Sequence, residues 1–337
     1  MNDNSFLFLD KIWRNNYLKN YILQELEKNL DYIITSNTKH LILSKYNQSL
    51  FIQSNDPLLK NISIIPNFIT NLELDTYNEE FQPGVLPDSL TRLTTQKFNK
   101  TIKVGDLPNS LRFLELGRDF NQEIIPSSLP NSITFLKFSF RFNQELAQNS
   151  LPTSLKSLEL SYYFNQTINV GVLPLGLETL ILGQHFNREI ERGVLPDSIT
   201  VLHLGEYYNQ DCLKLNLPPN LKKLFFSLMF NQPTIPPNWL SSSKSIDSLK
   251  FGYLFNGLLL KDTIPETITE LFFGVNFNQP LNETSLPNSI TNLSLSYHFN
   301  SEINALPSNL KRLTIYGLFK QPFKQNIFPN TLVSLDL

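Results

Sequence analysis

Leu151-Pro-Thr-Ser-Leu-Lys-Ser-Leu-Glu-Leu-Ser-Tyr-Tyr-Phe-Asn-Gln-Thr-Ile-Asn-Val-Gly-Val172 is one copy of a 22-residue unit, and the next copy opens at Leu173-Pro174. Its start, Pro152-Thr-Ser154, is turn chemistry, because proline presets φ and short hydroxyl side chains bond nearby backbone. In Leu155-Lys-Ser-Leu158-Glu-Leu160 the alternation sends Leu158 and Leu160 to one face and Glu159 to the other, the period of a half-buried strand. The remainder, Asn165 to Val172, has no helical stripe. It must return the chain to the next strand, and an irregular or 3₁₀-like segment is expected there.

Outward from this copy the phase holds. Phe-Asn or Tyr-Asn begins at 98, 120, 142, 164, 186, 208, 230, 255, 277 and 299, every step being 22 residues except one of 25. Leu-Pro with a small polar residue and then Leu or Ile recurs at Leu107, Leu129, Leu151, Leu195 and Leu286. The second apolar strand position runs through Leu43, Leu74, Thr95, Leu116, Phe138, Leu160, Leu182, Leu204, Phe226, Phe251, Phe273, Leu295, Ile315 and Leu337, which predicts about fourteen coils. A single coil has too few apolar side chains to offset the entropy of ordering it, so the coils must stack with strands in register as a parallel sheet over a Leu/Phe core. The Asn of each Phe-Asn (Asn121, Asn143, Asn165, Asn187, Asn209, Asn231, Asn256, Asn278, Asn300) is expected to bond backbone groups of an adjacent coil. Nine positions just after the strand core hold only Gly or Ser, from Gly117 and Ser139 through Gly274 and Ser296. A backbone bend common to all coils is the expected cause.

The fold class is therefore a mainly β repeat solenoid with one parallel strand per coil over residues 37–337. Residues 1–36 differ. Trp13, Tyr17, Tyr21, Ile22, Leu26 and Leu30 keep helical spacing with polar residues between them, which predicts an amphipathic helix capping the first coil. The three extra residues of the 25-residue step fall in Pro236-Pro-Asn-Trp-Leu-Ser-Ser-Ser-Lys244 and predict a loop insertion.

Composition narrows the function. The chain has 59 Leu and 38 Asn among its 337 residues, with 28 Lys+Arg against 30 Asp+Glu. The 26 Phe and 12 Tyr argue against disorder. A formal charge of −2 lacks the basic excess of nucleic-acid binders and offers no polybasic membrane segment. Cys212 is the sole cysteine, and no basic region precedes the short apolar run near Met1, so a cytosolic protein is expected.

The combination Phe-Asn-Gln-x-Ile and Leu-Pro-x-Ser-Leu-x-x-Leu-x-Leu resembles the FNIP repeat, a 22-residue relative of the leucine-rich repeat, over roughly residues 67–337. The resemblance implies a curved solenoid used for binding and carries over no catalytic residue. Some relatives have an F-box before the repeats, which implies an alternative: a substrate-recognition subunit of a ubiquitin ligase, with an adaptor bound to the N-terminal segment.

No phosphate loop or metal-ligand motif is present, and no cofactor is expected. His185 and His298 sit five coils apart, about 24 Å at a strand spacing of about 4.8 Å, too far to share a metal. Glu115, Lys137 and Glu159 alternate in sign at one outward position, which reads as a cross-strand charge ladder. The expected function is thus a non-enzymatic scaffold whose concave sheet binds a protein or peptide. Its candidate residues are the outward Ile181, His203, Phe225 and Phe272, where a solvated strand would carry polar side chains, and Tyr162, Tyr163, Tyr207, Tyr253 and Tyr297 just beyond the strands.

Overall fold

The computed structural model describes residues 65 and 67–337, except 318, in full, and before them the strand backbones at 32–36, 39–44 and 49–53. The chain divides into two units, residues 1–141 and 142–337. In the first, the strands are β1 (Tyr32–Ser36), β2 (Lys39–Ser44), β3 (Ser49–Gln53), β4 (Asn71–Leu74), β5 (Arg92–Thr95), β6 (Phe113–Leu116) and β7 (Phe135–Phe138). The second contains β8 (Ser157–Glu159), β9 (Thr179–Ile181), β10 (Val201–His203), β11 (Lys223–Phe225), β12 (Ser248–Lys250), β13 (Glu270–Phe272), β14 (Asn292–Leu295), β15 (Arg312–Ile315) and β16 (Ser334–Asp336).

Both units are parallel β-solenoid, and the register pairs equivalent positions of successive repeats. Leu93 lies between Leu72 and Leu114, and Leu202 between Leu180 and Leu224. The 25-residue step keeps this register, since Leu224 still faces Leu249. Its extra residues make a short 3₁₀ turn, Leu240–Ser242, which buries Leu240 while the Trp239 indole donates to the Leu215 carbonyl at 3.0 Å. Among the described residues the helical segments are this turn and a second one at Cys212–Lys214; the other returns are irregular.

The start of the sheet departs from the repeat census. β2 pairs antiparallel with both β1 and β3, and only from β3 onward does the parallel ladder begin, with Ile52 opposite Leu74. Leu43 therefore belongs to a hairpin strand rather than to the first coil, and the apparent 31-residue step is an ordinary 22-residue step from Ile52 to Leu74. The connections at 37–38 and 45–48 are short, and antiparallel neighbours need no more. Tyr32–Ser36, the end of the segment assigned to a helical cap, is strand. The helix expected over Trp13–Leu30 lies outside the described residues.

The core is built from columns. The middle strand leucines, including Leu114, Leu158, Leu202, Leu249 and Leu293, are buried, and the residues flanking them point out and are half-buried or exposed, apart from buried Ser248. Thr95, the polar member of the second apolar column, is fully buried; its hydroxyl donates to the Glu115 carbonyl at 3.5 Å and accepts from the Gly117 N–H at 3.3 Å. Deeper in, most rings of the Phe-Asn column stack on their equivalents one coil away within each unit. Ring centroids are 6.1 Å apart for Phe98–Phe120, Phe164–Phe186 and Phe255–Phe277, and 6.2 Å for Phe186–Tyr208.

Polar groups are satisfied between coils. Within each unit the Asn Oδ1 of the Phe-Asn column accepts the backbone N–H of the next Asn, as in Asn99 to Asn121 at 2.9 Å, Asn187 to Asn209 at 3.0 Å and Asn278 to Asn300 at 2.8 Å, and Asn300 Oδ1 at the end of the column accepts the Lys320 N–H at 2.8 Å. Where Gln follows, its amide donates to the same Asn, as Gln122 does to Asn99 Oδ1 at 3.0 Å and Gln210 to Asn187 Oδ1 at 2.9 Å. The Gly/Ser column has a cause other than a bend requiring glycine torsions. A Cβ at Gly183, Gly205, Gly252 or Gly274 would strike the carbonyl oxygen of the equivalent residue one coil back, and one at Gly117 would strike that of Thr95; none of these glycines has positive φ. Ser161 and Ser296 instead use their hydroxyls, donating at 2.5 Å to the carbonyls of Phe142 and Phe277.

Asn99→Ala removes the acceptor of two inter-coil bonds and is expected to lower the unfolding free energy by about 1–2 kcal/mol in denaturant titration. Asn99→Asp keeps the acceptor oxygen and is expected to cost less than half as much.

Candidate interaction surface

The outward side of each short strand offers two side-chain positions per coil, and register sets their neighbours. In the second unit the later position runs Ile181, His203, Phe225, Lys250, Phe272 and Ser294 across five ladder steps. Ile181, His203, Phe225 and Phe272 are half-buried, covered from the sides by one another and by the strands beneath. The His203 and Phe225 rings stack with centroids 3.8 Å apart. Ile181, His203 and Phe225 are thus one continuous apolar strip, while exposed Lys250 separates Phe225 from Phe272. Burial first, and then the Lys250 ammonium, push the His203 imidazole below its ordinary pKa, so the ring is held neutral.

The tyrosines form a second line at the turns that follow the strands. Tyr162 and Tyr163 meet edge to face at 4.8 Å, and the His185 ring lies 4.9 Å from Tyr163 and 4.7 Å from Tyr207. Tyr253 and Tyr297 lie further along, each exposed, with Tyr297 edge-on to His298 at 5.5 Å. The structure therefore brings Tyr162, Tyr163 and Tyr207 together through His185, which carried no role in the sequence reading, and sets Tyr253 and Tyr297 apart from them. Exposed Leu228 and Met229 lie in the intervening coil.

One surface cluster was missed altogether. In the first unit the earlier outward position carries Arg92, Phe113 and Phe135; the Arg92 guanidinium sits 3.4 Å over the Phe113 ring, which stacks on Phe135 at 4.4 Å. The signal was present as three consecutive non-aliphatic residues in phase, but the census followed the later outward position. There the charge ladder is realised in Glu115–Lys137 at 3.7 Å, with Ser139 donating to the same carboxylate at 3.0 Å.

Chemistry beyond binding finds little support. A cavity of about 330 Å³ lies on the turn side of the first unit, lined by Asp88, Asp106 and Ser128 among others. Asp106 Oδ2 accepts the Lys103 N–H at 2.8 Å, whereas Asp106 Oδ1 and the Ser128 hydroxyl are buried without bonding each other, so no nucleophile–base pair exists there. Burial pushes the Cys212 thiol up, away from the reactive thiolate. Among the described residues no group of three or more His, Cys, Asp or Glu is placed to hold a metal. No helix among them is long and apolar enough to cross a membrane.

Seven matches to the FNIP Repeat model cover residues 55–94, 98–140, 142–185, 186–228, 230–276, 277–315 and 302–337. The chain belongs to the FNIP repeat family. Among solved structures it is similar to CroV588, described as a novel circular LRR protein, with 38% identity and a TM-score of 0.70 over 81% of this chain and 44% of that one. The FNIP chain thus spans less than half the length of that relative. Similarity to the Toll–Spatzle complex of Drosophila, at 14% identity and a TM-score of 0.65 over 90% of this chain and 47% of that one, shows the fold alone. No curated protein matches.

Burial of a neutral His203 sets a pH dependence. Its folded-state pKa lies below the ordinary value of 6.5, so the unfolded chain binds the proton more tightly and stability falls as pH drops from about 7 through 6.5 towards the folded value. NMR titration is expected to place the His203 midpoint below that of an unburied histidine, and His203→Phe should flatten the loss of stability over this range.

Proposed function

We propose that this FNIP repeat chain is a non-enzymatic, cytosolic protein-binding scaffold whose partner lies on the outward sheet face of residues 142–337. The observation that carries this reading is the strip of Ile181, His203 and Phe225, continued past Lys250 by Phe272. Large apolar side chains are half-exposed side by side where alternation would have placed polar ones. Such a patch bordered by polar groups is where a solenoid gains binding energy, and aromatic residues supply most of it at interfaces. Lys223 and Lys250 rim the strip and are exposed, which suits orientation of a partner more than raw affinity. A single cysteine that is buried fits a reducing compartment.

Phe225 and Phe272 point away from the core, so Phe225→Ala with Phe272→Ala should leave the circular dichroism spectrum and the denaturation midpoint close to those of the parent chain. The double variant is expected to lose a partner recovered by affinity purification with the intact chain, with retention reduced at least about tenfold. Undiminished retention would remove the proposed face.

A further inference from the structure

Asn-Gly occurs once in the chain, at Asn256-Gly257, and it falls on the Phe-Asn column. In the other coils from Asn99 to Asn300 the residue after Asn is Gln, Lys, Arg or Ser. Packing requires the exception. A Cβ at Gly257 would lie 2.6 Å from the Gln232 carbonyl oxygen and 2.8 Å from the ring of Phe255, which is fully buried. The corner therefore holds an asparagine followed by the one residue that leaves the next backbone nitrogen unshielded.

The exchange that fixes the corner also prepares Asn256 for attack. Asn256 Oδ1 accepts the Asn278 N–H at 2.8 Å and a Gln279 Nε2–H at 3.1 Å. Two donors on an amide oxygen draw electron density from Cγ. They also stand where negative charge gathers when a nucleophile adds to that carbon, as the donors of an oxyanion hole do. The other groups are uncommitted. The Asn256 side chain is exposed, and among the described residues its Nδ2 donates to no acceptor and neither does the adjacent Gly257 N–H. Asn209 supplies an internal comparison, because its Oδ1 accepts the equivalent pair, the Asn231 N–H at 3.2 Å and Gln232 Nε2 at 3.0 Å, but Gln210 follows it.

We propose that Asn256 is a site of spontaneous deamidation in the folded chain, assisted by the two ladder donors on its Oδ1. The Gly257 nitrogen attacks Asn256 Cγ and closes a succinimide ring; the Cγ–Nδ2 bond breaks, and the proton from Gly257 departs with Nδ2 as ammonia. Water then opens one of the two ring carbonyls, giving aspartate or isoaspartate. Aspartate keeps an acceptor for the Asn278 N–H. Isoaspartate routes the main chain through the side-chain carbonyl, which lengthens the corner by one methylene and moves its acceptor out of line. The junction so loosened joins the coil of Lys250 to that of Phe272. Deamidation thus acts on the face proposed for binding, but it does not depend on that reading.

The test is peptide mapping by mass spectrometry of the intact chain, incubated in mildly alkaline buffer made with heavy-oxygen water, which labels each residue opened from a succinimide. Labelled aspartate and isoaspartate are expected at Asn256, while Asn209 stays amide over the same period. Gln279→Ala removes one donor and is expected to slow conversion about tenfold, less than the loss of an enclosed oxyanion donor because this site is open to water. Its circular dichroism should match that of the parent chain, which separates a slower reaction from a lost fold. The aged chain should unfold at lower urea concentration than the fresh one, and Asn256→Asp should stay close to the fresh chain. An Asn256 that remains amide, or converts no faster than Asn209, overturns the inference. Unchanged or faster conversion in Gln279→Ala overturns the part given to the ladder donors.

Discussion

Within each unit the backbone amide at the Phe-Asn corner is satisfied by the asparagine side chain of the coil before it, and the rest of the solenoid depends on that exchange. The Asn Oδ1 that accepts the next Asn N–H, at 2.8 to 3.3 Å through the second unit, fixes the distance and phase between coils where no strand is present to do so. With that corner fixed on one side and the parallel ladder on the other, the phenylalanines come into register and stack. The same close approach leaves no space for a Cβ at Gly252 or Gly274, because the carbonyl of the preceding coil occupies it. A coil alone has unpaired amides, half a hydrophobic layer and no partner for its strand, so stability resides in the interfaces between neighbours.

That dependence explains which parts of the structure could be read from the sequence. Columns that every coil must repeat are visible as period: the leucines of the strand, the Phe-Asn corner and the Leu-Pro turn all fall where the spacing placed them. The left-handed turn position before Leu-Pro is subtler, since Gly105, Ser127, Asn149 and Gly171 share positive φ without sharing a residue type. The Gly/Ser column was visible but its cause was not, because the colliding atom is a backbone carbonyl 22 residues away. The opening hairpin was misread for a different reason. Leu41-Ile-Leu43 matches the Leu-x-Leu spacing of a coil strand, and that spacing alone cannot distinguish parallel from antiparallel pairing.

The positions proposed for binding could be picked out in the sequence because the repeat leaves them free to vary. Following the later outward position located Ile181, His203, Phe225 and Phe272, while the Arg92–Phe113–Phe135 stack at the earlier position escaped notice. The grouping of side chains was less accessible. That His185 joins Tyr163 to Tyr207, or that His203 lies flat on Phe225, follows from rotamers and from the distance between coils, neither of which a period of 22 specifies. A repeat thus writes its architecture redundantly and its surface once.

The most direct test of stability residing between coils is a truncation series. Chains beginning at residue 142 and shortened from the C-terminal side by one coil at a time would be unfolded in urea. The unfolding free energy and its denaturant slope are expected to rise by similar amounts with each coil added, with a one-coil peptide unfolded in water. A one-coil fragment that unfolds cooperatively, or a stability independent of coil number, would contradict the account.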